Sequence, residues 1–125
     1  MTEKEVQEIY NRLLELTKAG KIQWEKTGEE EFASNFSRSS VTVEMQHIVD
    51  PSQVALKIFN DAGIMVAYAS PLAGIGLVDS GVKEFDLNPS DLFDLIQENV
   101  FKYSDTSRSI LDELKELEFS QKGKG

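Results

Sequence analysis

Leu56-Lys57-Ile58-Phe59-Asn60-Asp61-Ala62-Gly63-Ile64-Met65-Val66-Ala67-Tyr68 is the stretch that decides the fold. Two apolar runs flank a short polar break, and that pattern predicts a β-hairpin. Asn60 suits the start of a type I turn, and Gly63 suits the left-handed position that closes the turn with a bulge. The register that follows pairs Ile58 with Val66, Leu56 with Tyr68 and Phe59 with Met65. Each pair falls on one face, so turn chemistry and hydrophobic pattern agree. The hairpin carries no chemistry, but it places an antiparallel sheet at the centre of the fold.

Upstream, the alternation of Val41, Val43 and Met45 with Thr42, Glu44 and Gln46 predicts a strand over 40–48, broken by Asp50-Pro51-Ser52. A strand over 31–36 puts Phe32, Ser34 and Phe36 on one face, and a strand over 21–26 puts Ile22 and Trp24 together. With 53–59 and 64–70 these make a five-stranded antiparallel meander. The expected core face carries Val41, Val43, Met45, Leu56, Ile58, Val66 and Tyr68. Downstream, Pro71 to Leu87 loses its periodicity yet keeps Leu72, Ile75, Leu77, Val78, Val82 and Phe85. It reads as a packed loop, a lid or a sixth strand.

Helices bracket the sheet. Thr2 and Glu5 form a capping box for a helix over 3–18, with Val6, Ile9, Tyr10, Leu13 and Leu16 on one side and Gly20 as its stop. Asn88-Pro89-Ser90-Asp91 opens a second helix, expected to run to about Tyr103. A third, capped by Ser104 or Asp105, carries a stripe of Ile110, Leu111, Leu114 and Leu117 to about Glu118. Segregated elements of this kind predict an α+β class, with one N-terminal and two C-terminal helices packed on the sheet. The expected division is a single domain over 1–120 and a disordered tail over 121–125.

The segment Leu16-Thr17-Lys18-Ala19-Gly20-Lys21-Ile22-Gln23-Trp24-Glu25, the Phe-bearing hairpin after it, Leu56–Gly63 and Leu111–Leu117 together resemble small uncharacterised bacterial and phage-associated proteins. The resemblance covers most of the chain and implies the same α+β layout and a prokaryotic cytoplasmic protein. It brings no site residues with it. Pro71–Leu87 departs from the pattern and leaves the strand count at five or six.

Charge narrows the partners. The chain of 125 residues has a formal net charge of -9, and Asp79–Glu118 alone holds -7. Such a surface repels phosphate backbones and anionic membranes, so neither nucleic acid nor membrane is expected as a partner. It suits a basic protein partner, or solubility alone. With no cysteine there is no disulfide and no thiolate chemistry. Met1–Val6 shows no apolar leader and no apolar run is long enough to span a bilayer, so the expected compartment is the cytoplasm.

Motifs for chemistry are sparse. His47 is the lone histidine, expected on the core-facing side near a strand end. Glu29-Glu30-Glu31 reads as a solvated charge run, and Gly74-Ile75-Gly76 lacks the third glycine and the helix of a dinucleotide loop. No catalytic residue, metal ligand or cofactor site is expected. Candidate contacts are Phe59 and Met65 on the second sheet face, with Ala55, Lys57, Ala67 and Ala69 beside them, and Arg38 and Arg108 for an anion. Three covers are open for that face: the chain itself, a second subunit in a homodimer, or a ligand. The leading expectation is a non-enzymatic binding or regulatory protein, of the immunity, inhibitor or phage-antagonist kind. The alternative is a small-ligand (nucleotide or metabolite) module with its pocket at the 71–87 loop or a subunit interface.

Overall fold

A computed structural model describes residues 1–124, with side chains as far as Ser120; the tail expected over 121–125 lies outside the fully described residues. The order is α1 (Glu3–Lys18), β1 (Glu25–Gly28), β2 (Glu31–Asn35), β3 (Ser40–Gln46), β4 (Gln53–Phe59), β5 (Met65–Ala69), β6 (Lys83–Phe85), α2 (Ser90–Phe101) and α3 (Tyr103–Lys124). The α+β class is as expected. The six strands lie in chain order across one sheet, antiparallel from β1 to β5, with β6 added parallel to β5. The segment after Pro71 thus supplies a sixth strand, reached by a crossover loop.

The hairpin turn forms as its residues dictate. Gly63 has φ +76°, its N–H donates to the Asn60 carbonyl (3.0 Å), and Asn60 Oδ1 accepts from the N–H groups of Ala62 and Ile64. Phe59 pairs with Met65 as predicted. Beyond that pair the register is corrected: Ile58 faces Ala67, Lys57 faces Tyr68 and Leu56 faces Ala69. Val66 is the extra residue of a bulge, which turns every later β5 side chain over. Ala67 and Ala69 therefore lie on the core face and are fully buried there, while Tyr68 points the other way. Val66 still packs against the core cluster from within the bulge.

The core face carries Phe32, Val41, Val43, Val54, Leu56, Ile58, Ala67 and Ala69. Onto it pack Val6, Tyr10 and Leu13 of α1 and Leu92, Phe93 and Ile96 of α2. Phe32 is fully buried and meets Phe93 and Phe101 edge to face, with centroids 5.8 and 6.0 Å apart. Alanines on β5 give no side-chain bulk of their own, which leaves room for the helix side chains above them.

Several boundaries move, and α3, expected to be capped by Ser104 or Asp105 and to end near Glu118, runs from Tyr103 to Lys124. β1 starts at Glu25, not Lys21, because its ladder with β2 begins at Glu25 opposite Ala33. The residues before it turn back to α1, where buried Trp24 donates Nε1–H to Thr17 Oγ1 (3.0 Å). β3 ends at Gln46, where its ladder with β4 ends. α2 stops at Phe101, and Lys102 takes the left-handed conformation (φ 54°) before α3 begins at once. The capping box at Thr2 and Glu5 is present, as is the Gly20 stop at φ +71°.

α3 meets the body near its first turn. Tyr103 stacks on Phe101 (5.5 Å) and Ser104 N–H donates to Glu98 Oε1 (3.0 Å). Ile110, Leu111, Leu114 and Leu117 are exposed. The bulge makes a test. Ala67→Leu should lower stability by about 1–3 kcal/mol in urea denaturation, because it overpacks the helix-covered face. Had the unbulged register held, Ala67 would sit on the opposite face and the change would be nearly neutral.

Candidate functional site

Polar chemistry gathers on the sheet face away from α1 and α2. Cross-strand register lines up Glu31, Glu44 and Ala55 in one row and Thr42, Lys57, Tyr68 and Glu84 in the next. Lys57 Nζ pairs with Glu44 Oε1, Gln46 Nε2 donates to the same oxygen (3.0 Å), and the Tyr68 hydroxyl donates to Gln46 Oε1 (2.6 Å). Burial raises the Glu44 carboxyl, but hydrogen bonds from Lys57 and Gln46 and the Lys57 charge outweigh it. The group is held below its ordinary value of 4.5. The crossover loop lies beside this row: Gly74 N–H donates to Glu84 Oε1 (3.0 Å), and Leu72 is buried. The network is closed on itself, and among the described residues no buried side-chain N or O lacks a partner.

His47 is not on the core side. It follows the end of β3, is exposed, and contacts Glu30 Oε2 through Nε2 and Ser52 Oγ through Nδ1. Sequence reasoning missed both partners, because only the topology brings the β1–β2 turn and the β3–β4 loop to the same end of the sheet. Hydroxyl, imidazole and carboxylate are the parts of a nucleophilic relay. Here all three stand where water competes for each contact, and they act as a clamp between a turn and a loop. Among the described residues, no group of three His, Cys, Asp or Glu side chains is placed to hold a metal.

The predicted contacts are dispersed. Phe59 and Met65 pair as expected and are half-buried at the hairpin end of the sheet. Arg38 stands exposed in the turn between β2 and β3, which is at that same end. Arg108 is on exposed α3. Ala67 and Ala69, expected beside Phe59, are on the other face, so the flat apolar patch drawn from them does not exist. A cleft of about 510 Å³ opens away from the 71–87 loop, where α1 ends beside α2, lined by Thr17, Trp24, Asn99 and Lys102 among others. Asn99 Nδ2–H there donates to the Thr17 carbonyl (3.2 Å).

The most conspicuous uncommitted surface is the stripe on α3. Ile110, Leu111, Leu114 and Leu117 are 52%, 55%, 49% and 58% exposed. At 100° per residue, Ile110, Leu114 and Leu117 fall within about 60° of arc. Leu111 widens the stripe on one side.

No family model, no curated protein and no solved structure matches the chain. No helix among the described residues is long and apolar enough to cross a membrane.

The polar network predicts a pH signature. Lys57→Met should destabilise by about 1.5–3 kcal/mol at neutral pH, since it strips a charged hydrogen bond from half-buried Glu44. A carboxyl lowered in the folded state contributes stability above its unfolded pKa and loses it as pH falls through the folded value. The gap between wild type and Lys57→Met, read from urea midpoints, should therefore close as pH drops below 4.5.

Proposed function

We propose that this protein is a non-enzymatic binding module that engages another protein through α3. One observation carries the reading: the core is complete with α1, the sheet and α2, and α3 still presents four half-exposed aliphatic side chains in a row. Helices in water owe most of their stability to packing an apolar face. Ser104, Asp105, Thr106, Ser107 and Ser109 are weak helix formers, so the first turns of α3 have little intrinsic support of their own. An amphipathic helix laid against a partner is a common way to recognise protein.

The reading fits a regulatory protein of the immunity, inhibitor or phage-antagonist kind, acting in a prokaryotic cytoplasm, with small size and acidity as its compositional support. Phe59 and Met65 are secondary contacts in it, being half-buried already. The small-ligand alternative would draw on the cleft beside Trp24; we place it second because Thr17, Trp24 and Asn99 already bond to one another.

A photoreactive residue placed at Leu114 in cells should crosslink to a second polypeptide, and one placed at Gln7 on the exposed side of α1 should not. Adding Leu117→Glu should remove the Leu114 product. Equal labelling from both positions, unaffected by Leu117→Glu, would count against α3 as the contact.

A further inference from the structure

We infer that the occupant of the α3 stripe is a basic amphipathic helix, with Lys or Arg bordering its own apolar seam. This rests on the reading of α3 as a docking face and adds the chemistry of the partner. The borders of the stripe carry the argument. Going around the helix from the row of Ile110, Leu114 and Leu117, Thr106 and Ser107 come first, about 20° out, and Glu113 and Glu118 follow, each about 40° out, with Glu118 between Leu114 and Leu111. Between Tyr103 and Ser120 the nearest charged residue on each side of that row is acidic. Of the basic residues between Tyr103 and Ser120, Arg108 and Lys115 fall more than about 100° from the centre of that row, Lys115 lying about 40° beyond Leu111.

The spacing of Tyr103, Ile110, Leu114 and Leu117, with Ser107 between, follows the alternating steps of four and three of a coiled-coil seam. In that register Glu113 and Glu118 occupy the positions that choose the partner. A second copy of α3 is then a poor occupant. Side by side in parallel, Glu113 would face the partner's Glu118. In antiparallel packing like edges meet, and a register centred on Glu113 sets it against the partner's Glu113. A helix with basic borders meets opposite charge in either direction. Like-charge pairs across such a seam select against self-association, and complementary pairs set the partner and speed its approach. The surrounding surface acts in the same sense, since Asp79–Glu118 holds a net -7.

Length is compatible. α3 spans Tyr103–Lys124, 22 residues. That is about 33 Å at 1.5 Å per residue, enough to seat about three heptads.

The test uses the full-length protein and two labelled synthetic helices about three heptads long. Both have Leu at the seam; one has Lys at the flanking positions and the other Glu. By fluorescence anisotropy the Lys peptide should bind and the Glu peptide should not, with affinity falling as salt rises. Leu114→Glu separates docking from mere charge attraction. It adds negative charge yet should weaken the Lys peptide about tenfold or more, as loss of a central anchor does. Glu113→Lys with Glu118→Lys should transfer the preference to the Glu peptide.

Unchanged or tighter binding of the Lys peptide to Leu114→Glu overturns the inference, as does failure of the Lys peptide to bind wild type. Binding of both peptides alike, lost in Leu114→Glu, leaves α3 a docking face and overturns only the basic partner. Light scattering should show a monomer. A dimer broken by Leu114→Glu would make a second copy the occupant instead, whether helix on helix or seated in the apolar groove between α1 and Val41.

Discussion

Everything in this structure follows from covering one face of one sheet. Phe32, Val43 and Leu56 form a continuous cross-strand row, each fully buried. Burying a side chain of this size contributes roughly 1.5–3 kcal/mol. The row is covered by α1 and α2 from opposite ends of the chain, and Ala67 and Ala69 extend it onto β5 without crowding the helices. Once those two helices are seated, the apolar surface left on that face is the groove between α1 and Val41. The opposite face is committed to the Tyr68, Gln46, Glu44 and Lys57 network and to the crossover loop. Past Lys102, Tyr103 stacks on Phe101, and the residues from Ser104 to Ser120 stand exposed beyond the packed helices.

Much of this was legible in the sequence, and the misses have physical causes. The Thr2 and Glu5 box, the Gly20 stop, the Asn60–Gly63 turn and the limits of β4 were all written in local chemistry, where a few residues suffice. The bulge at Val66 was not. Val66 and Tyr68 are better strand residues than Ala67 and Ala69, so pattern reasoning placed them inward. Space beneath the helices favoured the alanines, and that is a tertiary demand. β6 is three residues, Lys83–Phe85, too short to show a period, and its parallel pairing depends on a crossover that no local signal announces. Trp24 was expected to share a strand face with Ile22, but it precedes β1 and is buried on a turn-back, where it donates a hydrogen bond to Thr17.

The candidate surface was half legible. Periodicity showed that Ile110, Leu111, Leu114 and Leu117 form one stripe, and a stripe needs a cover. It could not show that the body provides none. Phe59 and Met65 drew attention because they face each other across a turn, yet their neighbours on the sheet are polar. The contacts of His47 lay beyond sequence reasoning altogether, since Glu30 is 17 positions away and Ser52 is reached only through the loop. The helix we propose as the docking face is the element left over once α1 and α2 are seated on the sheet.

Amide hydrogen exchange on the free protein tests that claim most directly. If the core closes without α3, amides of β3 and β4 should exchange only through global unfolding, while those from Ile110 onward should exchange with little protection. Protection of Leu114 and Leu117 equal to that of Val43 and Leu56 would mean that α3 is packed into the body, and would contradict the account.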